Sequence, residues 1–519
     1  MAKTNTLLMS VDLGTTFIKV GVYTLDSRCI ASAGSKVNSE TPAPGIFIQK
    51  GDNIFNAVVE SMKSISEKLG NQVHDVSAIA FTGQMSGFMG VDKDWNDITT
   101  WSCSLDNRYM PYADRQIADL KEDFWTICGT NAPQMAPKYE WFKTEFPDQS
   151  KKIAKFVMIS SYVVGRLGDV PIEKASIDRS YTQWTGLADV KNGIWSSKLC
   201  EAVKMDAEHL PDIVNSNHIC GTLSRAIADI TGFKAGIPLV SGAGDKIAGC
   251  LGSGVVNNGD LILEASSYGA LSCCTDEFKT EMKTRRVDIV PSAIPGQFFA
   301  MNFIAGSGIT LDWYLKTFYE DDKRSVSSIF QEVDSKVNAI KPGCDGLMAI
   351  GLLGGSCMPL DGALRGMWMG FNWSHKKEHF YRALLESYSY DFALTAKCME
   401  EVYPDYRMDK VKVIGGGAKS DVWTQINSDV IGKTFQSLDR DDVALWGAAI
   451  IAGNAIGAFD DMKTTALKHA NVKKEYYPDN NMTQKYSPYV SLYEKYTVEL
   501  HPFYKQIQDC SAISSGKEE

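Results

Sequence analysis

The chain has 519 residues, more than a single core supports, so two large domains are expected. Hydrophobic residues at 44% and charged residues at 22% are ordinary globular usage, which excludes disorder for all but the last few residues. A formal net charge of −10 disfavours nucleic acid and anionic membranes as partners, and no run of 18 apolar residues offers a membrane span.

Residues 7–11 form a short apolar run suited to a buried strand. The run is too short for a signal segment and is broken at once by Asp12. Asp12-Leu13-Gly14-Thr15-Thr16 reads as a turn, and residues 17–23 as a second strand, so the chain opens on a hairpin with a polar tip. Helical spacing follows over 53–69, a buried strand over 76–81, and helices over 112–127 and 197–205. Residues 237–241 are a strand that ends in the small-residue turn Gly242-Ala243-Gly244 with Asp245, and a small-residue helix starts at Lys246. Residues 261–272, containing Glu264, Ser266 and Ser267, repeat the opening pattern of strand, Ser/Thr-Gly turn and strand, which suggests two related halves. A strand over 411–414 leads into Gly415-Gly416-Gly417-Ala418-Lys419-Ser420, and a helix over 421–431 turns Trp423, Ile426 and Val430 to one side. A small-residue helix over 441–450 closes the pattern. Twelve cysteines and seven histidines are dispersed without a C-x-x-C pair, so reduced thiols in a cytoplasmic protein are expected, not a zinc site or a disulfide framework.

Three of these segments suit phosphoryl transfer, which needs donors for the phosphates, a cation to screen them and a base for the attacking hydroxyl. Asp12 ends a buried strand where it can serve Mg²⁺, Gly14 permits close approach of a phosphate, and Thr15 and Thr16 add donors. Asp245 stands uncrowded among glycines at a helix start, where the helix dipole is expected to keep it ionised and able to accept a hydroxyl proton. Gly416, Gly417 and Ala418 offer a flat backbone surface for an adenine ring, although the spacing is not that of a P-loop. Each segment also has an ordinary structural reading, as a hairpin turn, an N-cap aspartate or a tight loop.

Together the segments resemble the FGGY carbohydrate kinases, the group containing glycerol kinase, xylulokinase and ribulokinase. The residues that carry the resemblance are Val11 to Thr16, Gly83-Gln84-Met85-Ser86-Gly87, Gly242-Ala243-Gly244-Asp245, Asp345-Gly346-Leu347 with Arg365-Gly366, Gly415 to Ala418, and Ala444-Leu445-Trp446-Gly447-Ala448-Ala449. The resemblance implies an α/β fold of two ribonuclease-H-like domains, of the actin and Hsp70 ATPase type, with a cleft between them. The division is expected at 1–254, for sugar and phosphates, and 255–519, for adenosine. It further implies ATP and Mg²⁺ in the cleft, with Asp245 as catalytic base and Asp12 and Asp245 as metal-binding carboxylates. Asp12, Gly14, Thr15, Thr16, Ser266, Ser267, Gly308, Gly416, Gly417 and Ala418 would bind ATP, and Gln84, Met85, Ser86, Asp106 and Asp245 the sugar.

Two departures bear on the sugar. Ser86 replaces the histidine of the xylulokinase G-Q-M-H-G segment, and the family's W-x-D-x-R appears as Ser104-Leu105-Asp106-Asn107-Arg108, leaving Trp101 as a substitute indole. A ketopentose or related polyol is the expected substrate class, and D-xylulose a poor member of it. The competing readings are a nucleotide-switch ATPase and a degenerate sugar sensor. A homodimer is allowed for. Closure is expected about a hinge over 245–259, where Gly249, Gly252, Gly254 and Gly259 cluster.

Overall fold

The computed structural model describes residues 5–514 apart from Asp321 and Pro359, with side chains described as far as Cys510. The strands Leu7–Leu13 and Phe17–Thr24 pair antiparallel across a turn at 14–16, and Cys29–Lys36 pairs antiparallel outside them. On the other side of Leu7–Leu13 lie Val76–Gly83 and then Pro238–Gly244, both parallel, with Ile219–Thr222 antiparallel at the edge. The second sheet begins again with a hairpin, Leu261–Ala265 and Gly269–Thr275, across a turn at 266–268. Phe298–Ile304 and Asp288–Pro291 extend it antiparallel on one side, and Lys410–Ile414 and Thr434–Leu438 continue it parallel on the other. Val472–Tyr476 is its antiparallel edge.

The central five strands of the two sheets thus share one order and one set of directions, the pattern expected of paired ribonuclease-H-like domains. The short echo in the sequence is a structural repeat. The hairpin around 266–268 occupies in the second sheet the place that the hairpin around 14–16 occupies in the first, and Glu264 stands in the position of Asp12. The inner strands are buried along both faces, which is why they read as apolar runs and not as alternation.

The helices follow their spacing. Gly51–Leu69 buries Ile54, Phe55, Val58, Met62, Ile65 and Leu69 and stops at Gly70, whose φ of 54° only glycine adopts freely. The segment expected helical over 112–127 is an α-helix, Met110–Asp123, that widens into a π turn, Phe124–Cys128. Pro111 sits at its start, where a missing N–H costs nothing. The helix expected over 197–205 is shorter, Ser197–Ala202, and Lys204 has a left-handed φ of 55°.

Two helices join the halves. Asp245–Gly252 follows the last parallel strand of the first sheet, and Val443–Ala455 follows its counterpart in the second. They cross at reciprocal glycines: a Cβ on Gly252 would lie 1.9 Å from the Val443 carbonyl oxygen, and one on Gly447 would lie 1.9 Å from that of Ala248. Val443–Ala455 is apolar all round because its far side is driven into the first sheet, where Trp446 meets Tyr23 at 5.7 Å and the Tyr23 hydroxyl donates to Asp442 at 2.6 Å. The glycines grouped over 245–259 therefore differ in purpose. Gly252 exists for close packing, Gly254 and Gly259 hold positive φ of 67° and 85°, and at Gly249 a Cβ would meet only ordinary contacts.

Candidate active site

The carboxyl ends of Leu7–Leu13, Val76–Gly83 and Pro238–Gly244 lie side by side, since Leu13 pairs with Gly83 and Gly83 with Gly244. This register brings the turn at 14–16, the turn at 83–87 and Asp245 to one edge of the first sheet. The crowding accounts for the glycines. A Cβ on Gly83 would lie 2.6 Å from the Leu13 carbonyl oxygen, and one on Gly244 would lie 2.4 Å from the Met85 side chain.

From the second sheet, Glu264 reaches the same place. Its carboxylate accepts from Lys246 Nζ at 2.7 Å, an ion pair that joins the helix behind Asp245 to the second hairpin. The Asp12 carboxyl is raised, first by burial and then by Glu264, against the pull of Lys19, whose ammonium is 4.0 Å away. Burial pushes the Asp245 carboxyl up to about 7, Glu264 and Asp12 push in the same direction, and Lys246 opposes them. The expected effect of the helix start is therefore outweighed. A dipole is worth about 0.3–1 kcal/mol, whereas a rise from 3.8 to about 7 corresponds to about 4 kcal/mol in favour of the protonated form. Tyr181, buried against this group, is raised well above the usual phenol range by burial and then by Asp178, Asp245 and Asp12.

Of the residues expected to hold nucleotide, Asp12, Gly14, Thr15 and Thr16 lie at the first hairpin, and Ser266, Ser267, Gly308, Gly416, Gly417 and Ala418 gather on the second sheet. The Gly308 N–H donates to the Ser266 carbonyl at 2.9 Å, and a Cβ on Gly415 would touch the Ser266 hydroxyl at 2.6 Å. Ser266 thereby links the second hairpin turn to the start of the helix Gly308–Phe318 and to the glycine-rich turn. Beside them Ser307 holds a left-handed φ of 85° with a buried hydroxyl that lacks a partner among the described residues, a strained polar group of the kind found at ligand sites. Gly416 is open to solvent, with no atom within 4 Å of the point where a Cβ would stand, and Gly417 is backed by the Trp423 ring and Ala265. Thr16 and Ser267 are exposed and Thr15 is half-buried.

At the 83–87 turn, Gln84 Nε2 and Ser86 Oγ are buried without partners among the described residues. Trp101 lies behind the turn, its indole N–H donating to Gln84 Oε1 at 3.2 Å and its ring filling the space that a Cβ on Gly87 would need. It supports Gln84 from behind and is itself fully buried. Asp106 is also fully buried. Arg108 donates to both of its oxygens at 2.8 Å, and Ser102 adds a bond of 2.9 Å, so the carboxylate fixes its own turn and presents no free face. Met85 is buried against Gly244 and forms the wall behind it.

Sequence reading missed Glu264 and Lys246. The signal for Glu264 was the hairpin echo itself, which sets it over Asp12. Lys246 follows Asp245 directly but reads as an ordinary helix residue until the second half is placed opposite.

The carboxylates suit a cation shared with a ligand. Asp12 and Asp245 are crowded by Glu264, and among the described residues no three His, Cys, Asp or Glu side chains stand close enough to cage an ion alone. Magnesium carried by phosphates needs only one or two protein carboxylates.

Profiles of the FGGY family of carbohydrate kinases match residues 7–252 for the N-terminal domain and 267–456 for the C-terminal domain. A xylulose kinase of Bacillus subtilis is 24% identical over 492 residues, covering 94% of this chain and 96% of its own. A gluconokinase of the same organism is 25% identical over 491 residues, covering 90% and 93%. The crystal structure of gluconate kinase from Lactobacillus acidophilus superposes with a TM-score of 0.87 at 20% identity, covering 97% of this chain and all of that one. No described helix is long and apolar enough to cross a membrane. With both domains of the profile matched across two topologically equivalent sheets, the chain belongs to the FGGY family of carbohydrate kinases, ATP-dependent enzymes that phosphorylate sugars.

Proposed function

We propose that this kinase phosphorylates a hydroxyl of a ketopentose or a related polyol in the cytoplasm, with Asp245 as general base. The observation that carries the reading is the convergence on one sheet edge of a half-buried carboxyl raised to about 7, Asp245, with two buried polar groups that lack partners among the described residues, Gln84 Nε2 and Ser86 Oγ. Buried polar groups require partners, and a polyol supplies hydroxyls that can be those partners.

In this reading the sugar lies between the 83–87 turn and Asp245. Gln84 and Ser86 fix its orientation, and Asp106 holds the neighbouring turn and contacts the sugar only by exchanging its bonds with Arg108. Asp245 accepts the hydroxyl proton as the oxygen forms its bond to the terminal phosphorus of ATP. The bond from that phosphorus to the bridging oxygen breaks, and ADP leaves with the electron pair. Asp12 stands on the phosphate side with Gly14, Thr15 and Thr16. Ser266, Ser267 and Gly308 face them from the second half, and Gly416, Gly417 and Ala418 offer the surface for adenine. Mg²⁺, bound with the nucleotide beside Asp12 and Asp245, supplies screening of phosphate charge. The working division of labour places sugar and phosphates on 1–254 and adenosine on 255–519.

The test is ADP release against a panel of ketoses, aldoses, polyols and sugar acids. Turnover that requires one class of polyol and rises at least a hundredfold over basal hydrolysis supports the reading. Sugar-independent hydrolysis would support a switch ATPase, and sugar binding without turnover a sensor.

A further inference from the structure

A cavity of about 940 Å³ opens on the seam between the two halves, away from the site just described. Its walls include Arg179, Lys191, Asn217 and His218 from the first half and Asp276 and Phe298 from the second, and the last turn of Val443–Ala455 closes it through Ala455. Phe298 begins the strand Phe298–Ile304, whose other end pairs with Gly269 beside the nucleotide turn. Six residues of strand separate them, about 20 Å. The cavity therefore faces the back of the junction.

Its chemistry is that of an anion site. Arg179 is half-buried, and among the described residues its guanidinium forms no hydrogen bond or ion pair. The neighbouring Asp178 does not neutralise it by contact, since that carboxylate is taken by Ser180 and by Ser216 at 2.8 Å. Cations drawn partly out of water are normally paired, so an unpaired one facing a cavity leaves bonding capacity that an oxyanion fills. Lys191 adds a second positive charge. Asp276, the carboxylate in the wall, is engaged by the Tyr406 hydroxyl at 2.6 Å.

The cavity wall is also wired to the catalytic strand. Ser180, held by Asp178, accepts the Gly244 N–H at 2.9 Å, one residue before Asp245. The carbonyls of Ser216 and His218 accept from Gly242 and Ser241, both at 2.9 Å. Asn217 donates to Asn454 at 2.9 Å and so ties the same loop to the helix that joins the halves.

We propose that this cavity binds a small oxyanion, a phosphate ester or carboxylate of metabolite size, with Arg179 and Lys191 as its anchors, and that the bound anion alters sugar affinity through the strand Pro238–Gly244. Calorimetry on the full-length protein in saturating Mg·ADP, titrated with inorganic phosphate, phenyl phosphate and citrate, tests it without reliance on turnover. Binding of at least one probe should persist with the nucleotide site filled. Loss of a charge-assisted bond predicts weakening by about ten- to a hundredfold in Arg179→Gln. Lys191→Gln, on an exposed loop where folding is not at risk, should weaken it by a few-fold. The tighter of the ester and carboxylate arms identifies the ligand class. In the kinase assay the same probe should shift KM for the sugar in the wild type and not in Arg179→Gln, with basal kcat retained by both variants. Displacement of every probe by Mg·ADP, equal binding by both variants, or binding without any shift in KM would each overturn the proposal.

Discussion

Asp245→Asn removes a proton acceptor while conserving shape, and the structure sets the expected size and pH dependence of the loss. With the carboxyl at about 7, roughly a tenth of the free enzyme has Asp245 ionised at pH 6 and roughly nine-tenths at pH 8. The sign follows from the role. A base works only when deprotonated, so kcat/KM for the sugar should rise about tenfold from pH 6 to pH 8 in the wild type. In the variant the remaining rate should be lower by about 10²–10⁴-fold and flat over the same interval. Glu264→Gln removes a carboxylate that raises Asp245, so its acid limb should lie at lower pH than that of the wild type. The assay is ADP release at subsaturating sugar, with coupling enzymes in excess at every pH and Mg·ATP saturating. Retention of more than half the wild-type turnover by Asp245→Asn would refute the assignment, and so would a pH limb that survives the substitution.

Asp12→Ala should depress turnover and weaken the response to Mg²⁺ while leaving sugar affinity without nucleotide nearly intact. Calorimetry that found sugar binding lost and Mg·ATP binding kept would reverse the roles of Asp12 and Asp245. Ser86→His should move preference toward D-xylulose, which the wild type should use poorly; ordinary kcat/KM for D-xylulose in the wild type would contradict the role given to Ser86. Asp288, in the edge strand Asp288–Pro291, is buried among Thr130, Asn131 and Trp184 of the first half and pushed up to about 7 by that burial. A carboxyl raised in the folded state contributes stability that is complete below its unfolded value of 3.8 and lost as pH rises through about 7. Between pH 6 and 8 this amounts to about 1.4 kcal/mol, so the loss of stability over that interval in urea unfolding should be smaller by that increment in Asp288→Asn than in the wild type, the contribution of Asp245 being common to both. Scattering should record a smaller radius of gyration with sugar and a non-hydrolysable ATP analogue; crystal forms that superpose as one rigid body, apo and liganded, would refute closure.

Most of the fold was legible because its signals are local. Buried parallel strands read as apolar runs, and turn residues end two of them, at Gly14 and Gly415, whereas Gly242-Ala243-Gly244, expected as a turn, continues the strand Pro238–Gly244 past an irregularity in its pairing. What the sequence hides is pairing between halves, since no periodicity links residues 18 or 250 positions apart. Lys246 meets Glu264 only because the two sheets face each other. Asp245 is near neutrality only because two further carboxylates and a buried setting converge on it, an effect that spacing around Asp245 could not supply. The same holds for Asp106, whose place beside Arg108 was visible but whose complete burial was not. The repeat resolves this difficulty in part. Once the strand end before the turn at 266–268 is set over the strand end before the turn at 14–16, Glu264 falls on Asp12, and a pair of acidic groups, one from each half, follows from the repeat. A duplicated hairpin so placed gives each sheet one carboxylate at the shared edge. Lys246 then has a reason to follow Asp245: it offsets the extra negative charge that the second copy brings to the shared edge, where phosphates are proposed to lie.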